Sequence, residues 1–152
     1  MYSLTVPVSP VSAKPPRILP PVDDASRPFW TGGADGRLRI AHCRACGRYI
    51  HPPRPGCPDC AGALEFVAVS GDATLFTYTV AHQQFHPAVP TPFVIAVVQL
   101  AEQPGLRLVT NIVECDPAAL VSGMPLRVRF ERHDQATGSV FVPVFAPADT
   151  VT

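Results

Sequence analysis

Four cysteines set the tightest constraint on what this chain can become. Cys43-Arg-Ala-Cys46-Gly47 and Cys57-Pro-Asp-Cys60-Ala-Gly62 are two C-x2-C pairs with ten residues between them. In each pair a tight turn brings two sulfurs to one side of the backbone. A glycine within two residues supplies the positive φ such a turn uses. Two pairs facing each other make an all-sulfur tetrahedron, the geometry that suits Zn²⁺. A four-thiolate site has no open position for water, so this metal is expected to hold the fold and do no catalysis. One structural zinc per chain is expected, on Cys43, Cys46, Cys57 and Cys60. Iron in a four-thiolate site is the nearest rival, and nothing else in the chain points to electron transfer. Arg44, Arg48 and Arg54 stand where cations would help the thiols lose their protons. The fifth cysteine, Cys115, is expected to be a small buried residue rather than a nucleophile.

The start, MYSLTVPVSP, has no basic stretch and no apolar run of signal-peptide length. The longest apolar run, Phe93 to Val98, is six residues, against roughly 20 for a membrane-spanning helix. A cytoplasmic chain is therefore expected, and there paired cysteines read as metal ligands before disulfides.

Prolines exclude most helical architectures. There are 19 in 152 residues, more than twice the roughly 5% that is usual. Seven lie within residues 1–28, so that stretch forms neither a regular helix nor a central strand. It reads as an extended arm that wraps a partner or as a loose tail. Ser26 is placed to cap a short helix through Phe29 and Trp30, with Gly32 and Gly33 ending it early. Residues 37–42 alternate as a short half-buried strand.

From Ala63 onward the pattern turns to strands. Leu64 to Val69 and Ala73 to Ala81 read as one long strand kinked at Gly71-Asp72. Phe93 to Leu100, Leu106 to Val113, Leu126 to Arg132 and Val140 to Phe145 continue the series. Asp116 and Pro117 mark the start of one turn of helix, in the favoured order of cap and first residue. Five or so strands with one short helix before the fourth imply a small closed barrel. The expected division is an arm over 1–25, helix and zinc ribbon over 26–62, barrel over 63–147 and a tail over 148–152.

Charge is balanced overall but segregated along the chain. Residues 36–58 carry five arginines and no acid, whereas residues 59–152 carry four arginines against nine acids. The Arg cluster, with His42 and His51, suits an acidic partner or phosphate, or else compensates the thiolates. The acidic barrel argues against single-stranded nucleic acid, which needs a basic groove beside its stacking aromatics. Phe76, Tyr78, Phe85 and Phe93 supply the aromatics without that groove, so nucleic-acid binding stands second.

No catalytic constellation is visible. His82 and His86 flank Phe85, but Pro87, Pro90 and Pro92 forbid the helix on which two such histidines would share a metal. There is no Ser/His/Asp order, phosphate-cradling glycine loop or H-E-x-x-H. A free-standing enzyme using His82 or His86 is the third reading.

The ordered set Pro28-Phe29-Trp30, Gly36-Arg-Leu38, Cys-x2-Cys-Gly, Pro52-Pro53-Arg54 and Cys57-Pro-x-Cys60 is not generic. It resembles the zinc-ribbon and OB-fold proteins associated with acyl-CoA enzymes. Gly71 with 77–82 looks like that family's first barrel strand, 92–100 like its second, and 123–128 like the entry to its fourth. The resemblance spans about residues 26–147. It implies a mostly β chain: a short N-terminal helix, a rubredoxin-like zinc ribbon and a five-stranded OB-fold barrel. Family members commonly act as non-catalytic partners of thiolase-like or lipid-transfer-protein-like enzymes, including retro-aldolases of sterol side-chain degradation. Some work beside hotdog-fold enoyl-CoA hydratases. The resemblance thus implies an accessory subunit that completes a neighbouring active site and shares the acyl-CoA with its partner. Arg54, His82, Phe85, His86 and Trp30 are its candidate contacts to CoA or partner. Thr31-Gly32-Gly33-Ala34-Asp35 and the turn Ala101 to Gly105 depart from the family pattern.

Overall fold

A computed structural model describes residues 17–87 and 89–148. The first sixteen residues of the expected arm, Ala88 and the last four residues of the expected tail lie outside the described residues.

The first turn is fixed by Asp23. Its Oδ1 accepts from the Ser26 N–H at 2.8 Å and from Ser26 Oγ at 2.7 Å. Helix α1 (Arg27–Thr31) follows, with Pro28 in its first turn. Ser26 precedes the helix as expected but makes no side-chain cap, because its hydroxyl is already engaged by Asp23. The α-helix ends at Thr31 with Gly32 as its C-cap, as expected. A 3-10 turn continues over Gly32–Asp35 and stops at Gly36, where φ is +74°. Gly33 serves close packing: an added Cβ would stand 2.5 Å from Phe141 Cβ and 2.7 Å from the Phe130 ring.

Three strands form the ribbon sheet: β1 (Leu38–Cys43), β2 (Tyr49–Ile50) and β3 (Leu64–Val69), antiparallel in the order β2-β1-β3. Five more close into a barrel: β4 (Asp72–Ala81), β5 (Phe93–Leu100), β6 (Arg107–Ile112), β7 (Pro125–Gln135) and β8 (Gly138–Pro147), in the order β4-β5-β6-β8-β7. β7 returns to β4 through Asp72↔Arg127, and β6 meets β8 in parallel at Ile112↔Phe145. A 3-10 turn, Pro117–Ala119, precedes β7, with Asp116 Oδ1 accepting from the Ala118 N–H at 2.9 Å. The mostly β class, five-stranded barrel and short N-terminal helix are as expected.

The expected single kinked strand is divided between two sheets. β3 pairs along its whole length with β1, so Leu64–Val69 belongs to the ribbon sheet and not to the barrel. The sheet boundary falls at Ser70-Gly71 rather than after residue 62. Gly71 makes the break, with φ of +83° and an added Cβ 2.5 Å from Val128 Cγ1.

Strand alternation fills the barrel. Val94, Ala96, Val98 and Leu100 of β5, with Leu75, Leu108, Leu126 and Phe145, are buried inside it. Phe29, Leu38 and Ile40 join the same cluster and root the ribbon onto the barrel. A separate small cluster of Ala41, Cys43, Ile50 and Cys57 lies under the cysteine turns. On the barrel's outer face, Val140, Val142 and Val144 are covered by Leu19, Val22 and Trp30. The described end of the arm therefore lies on its own barrel. Among the described residues no helix is long and apolar enough to cross a membrane.

Candidate metal centre

The two cysteine turns are built alike. In the first, the Cys43 N–H donates to Arg48 O at 2.8 Å and the Gly47 N–H to Cys43 O at 2.9 Å. In the second, the Cys57 N–H donates to Gly62 O at 3.1 Å and the Ala61 N–H to Cys57 O at 2.9 Å. The first turn takes its positive φ at Gly47, +78°. In the second, the matching position is Ala61, at +59°, and not the glycine expected to supply it. Gly62 answers a different demand. A Cβ there would lie 2.9 Å from Cys43 Sγ and 3.1 Å from Cys60 Sγ, so only glycine leaves room for the sulfurs.

These turns bring all four Sγ atoms within 4.8 Å of one another. Cys43 Sγ is 3.5 Å from Cys60 Sγ, and Cys46 Sγ is 3.8 Å from Cys57 Sγ. A zinc–sulfur bond of about 2.3 Å gives a regular tetrahedron edges of about 3.8 Å, so the spacing fits one metal ion. The Cys46 N–H points at Cys43 Sγ and, with help from Ala45 and Cys60, draws that thiol down to about 6. The Gly62 N–H favours the Cys60 thiolate, but desolvation and the sulfurs of Cys43, Cys46 and Cys57 outweigh it and push Cys60 up to about 12. The Cys43 proton leaves readily, and the crowded sulfurs hold those of Cys46 and Cys60 until a cation offsets the charge. The set can hold one metal ion.

The arginines do not serve the sulfurs as expected. Arg44 Nε pairs with Glu65 Oε2 at 3.1 Å, Arg48 with Asp59, and Arg39 Nη2 with Asp35 Oδ2 at 2.7 Å. Three of the five arginines in the basic run are thus paired in space with acids that lie just outside it in sequence. Arg54 is exposed and lines a groove of about 320 Å³ between ribbon and barrel, with Arg48, His51, Asp59, Gln103 and Leu106. His51 sits against the Phe29 ring, 5.0 Å between centroids, and burial lowers its pKa to about 4.

Sequence reasoning missed the residue that ties the ribbon to the barrel. Gln103 Oε1 accepts from the Tyr49 N–H at 2.9 Å, and its Nε2 donates to Tyr49 O at 3.0 Å. One side-chain amide thus adds a rung to β2. Its only signal was the departure of the Ala101 to Gly105 turn from the family pattern.

The remaining candidates are dispersed. Trp30 packs edge-on against Phe29, 4.7 Å between centroids, and over the outer face of β8. His82, Phe85 and His86 are exposed in the β4–β5 connection, a ten-residue strand away from the ribbon junction. Cys115 is half-buried, its Sγ donating to Asp116 O at 3.3 Å. Tyr78 turns inward and donates to Leu120 O at 3.2 Å, and Arg107 caps the Phe76 ring at 3.8 Å, so neither ring is open for a base to stack on.

Comparison with known proteins agrees with this geometry. A family model described as "ChsH2, rubredoxin-like zinc ribbon domain" matches residues 30–67. A second, "ChsH2, C-terminal OB-fold domain", matches residues 66–131. A relative from Thermomonospora curvata, named "Probable enoyl-CoA hydratase alpha subunit", is 38% identical over 139 residues, covering 89% of this chain and 42% of the relative. The "3-oxo-4,17-pregnadiene-20-carboxyl-CoA hydratase alpha subunit" of Mycobacterium tuberculosis is 37% identical over 103 residues, covering 67% of this chain and 32% of the relative. The chain thus spans 42% of the first relative and 32% of the second, less than half of either. A solved structure titled "Ltp2-ChsH2(DUF35) aldolase" superposes with a TM-score of 0.74 at 34% identity, covering 86% of this chain and 100% of that one.

Proposed function

We propose, from the premise that this chain belongs to the ChsH2 (DUF35) family of zinc-ribbon and OB-fold proteins, that it is an accessory subunit of an acyl-CoA enzyme. The partner is a thiolase-superfamily enzyme, of the lipid-transfer-protein type that performs retro-aldol cleavage, and the substrate class is a steroid or lipid side-chain thioester. The chain supplies no catalytic group of its own. It completes the complex and supports the CoA end of the substrate, with exposed Arg54 as its candidate phosphate contact. It acts in the cytoplasm, where thiols stay reduced.

Cys43, Cys46, Cys57 and Cys60 hold one zinc ion in this reading. Bound there, zinc supplies a four-way cross-link and no open coordination position. The chain's own residues do the rest: Gly62 leaves room for the sulfurs, Gln103 fastens β2, and Phe29, Leu38 and Ile40 seat the ribbon on the barrel.

The observation that carries the proposal is the superposition on the aldolase-associated chain over its full length. The test is co-expression with a thiolase-superfamily enzyme encoded beside this chain. One co-purifying complex, with thioester cleavage well above that of the enzyme alone, is expected. Clean separation with unchanged activity overturns the proposal. A hotdog-fold hydratase is the second partner class, favoured by the two relatives named as hydratase alpha subunits. Co-purification with a hydratase and not with the thiolase-type enzyme would select it.

A further inference from the structure

The ribbon sheet has two outer edges, and they differ. Backbone bonding alternates from one side of a strand to the other along an antiparallel ladder. The Arg44 N–H donates to Ala63 O at 3.0 Å and the Cys43 N–H to Arg48 O at 2.8 Å. With the pairings His42↔Glu65 and Ala41↔Ile50, Glu65, Val67 and Val69 of β3 bond inward to β1. Tyr49 of β2 and Leu64, Phe66 and Ala68 of β3 therefore turn their backbone groups outward.

On β2 the outward N–H and C=O of Tyr49 are both taken by the Gln103 amide, at 2.9 and 3.0 Å. That edge is closed. On β3 the outward groups of Leu64, Phe66 and Ala68 have no hydrogen-bond partner among the described residues. Natural proteins blunt such edges with Pro, Lys or a bulge. Leu64–Val69 has none of these: its register with β1 is unbroken, and its one charge, Glu65, is held by Arg44 at 3.1 Å.

The open stretch is bounded at both ends. Gly62 O accepts from the Cys57 N–H at 3.1 Å, and the Ser70 N–H donates to Glu102 Oε2 at 3.0 Å. Positions 62, 64, 66, 68 and 70 thus run closed, open, open, open, closed, a pattern symmetric about Phe66. An antiparallel copy of β3 with Phe66 opposite Phe66 sets Leu64 against Ala68, so every open group of both copies finds a partner. A slip of two residues either way sets an open position against a closed one. The symmetric register also places Glu65 opposite Val67 rather than opposite another Glu65. It carries exposed Arg44, beside Ala63, toward Glu102 of the second copy, beside Ser70, so opposite charges approach at both ends.

We propose that the outer edge of β3 is a self-association site, where two copies of this chain pair antiparallel about a two-fold axis at Phe66. Two three-stranded ribbons become one continuous sheet. The contact is isologous and closes on itself, and Gln103 blocks the other edge of the ribbon sheet, so growth stops at the dimer.

The test follows single amides by NMR hydrogen exchange on the full, zinc-loaded chain across a concentration series, with sedimentation equilibrium on the same samples. The amides of Glu65, Val67 and Val69 should be protected throughout. Those of Leu64, Phe66 and Ala68 should slow several-fold as the mass doubles. Ala68→Pro removes an outward N–H and no bond to β1. It should stay monomeric at every concentration, with metal content and the protection of Glu65, Val67 and Val69 unchanged. Ala68→Lys keeps the donor but charges the edge, and should weaken the dimer several-fold even if the proline variant folds poorly. A wild-type monomer throughout, or a dimer that Ala68→Lys leaves intact, overturns the proposal. Protection of Leu64, Phe66 and Ala68 that ignores concentration assigns the edge to another segment of the same chain. Protection that appears only with an added enzyme assigns it to that enzyme, and either result overturns self-pairing. None of these outcomes depends on which enzyme the chain accompanies.

Discussion

Ribbon and barrel are held together by different physics. The barrel interior is apolar from Leu75 to Phe145 except for Thr110, whose hydroxyl donates to Pro143 O at 3.0 Å, and its strands close into a ring. The cysteine end of the ribbon has four buried residues in its own cluster, two of them cysteines, over a two-residue strand. A core that small does not offset the conformational entropy of ordering its turns. The difference teaches where the metal matters: it substitutes for a core at one end of the molecule and is dispensable at the other.

The strongest way to break that contrast is to remove a sulfur. Cys43→Ser should take the chain from one zinc to none by elemental analysis. It should also unfold residues 43–62, since structural zinc contributes about 10–16 kcal/mol in isolated fingers. The barrel should still melt cooperatively. The complementary change is Phe145→Ala, at a fully buried position. It should cost the barrel about 3–5 kcal/mol by chemical denaturation while leaving one zinc bound.

The contrast was partly legible in the sequence, and the reason is range. The four cysteines and their spacing are local, so the metal centre could be read directly. So could the alternation of β4 to β8 and the Asp116-Pro117 cap. What sequence reading missed depends on pairing between distant segments. β3 looks like barrel strand in isolation and is claimed by β1. The basic run looks like an anion patch until Glu65, Asp59 and Asp35 close on it. Gln103 acts 54 positions from Tyr49, and the unusual turn that carries it does not say which strand it reaches. Trp30 read as a contact residue because its burial comes from β8, more than a hundred positions later.

Smaller effects sharpen the boundary between the two regions. Gly62→Ala forces a Cβ against Cys43 Sγ and Ala45 Cβ, both at 2.9 Å. It should destabilise the ribbon by about 1–3 kcal/mol, as overpacking does, and weaken metal retention in a chelator competition without shifting the barrel's own transition. Acid probes the seam. Burial lowers His51 from 6.5 to about 4, so between those values the unfolded chain takes up a proton that the folded chain refuses. The His51 contribution is fully present above pH 6.5 and is lost as pH falls towards 4. His51→Leu should flatten the pH dependence of stability over that window. The smallest change is Arg44→Ala, which removes an exposed ion pair with Glu65. It should alter the melting free energy by about 0–1 kcal/mol, and a larger loss would mean that the arginine does serve the thiolates.

The most direct measurement is hydrogen exchange followed by mass spectrometry on the intact chain, with and without a strong zinc chelator. Chelation should release one zinc per chain and abolish protection across residues 43–62, while β4, β5, β7 and β8 keep theirs. Loss of protection in both regions together, or in neither once the metal is gone, would contradict the account.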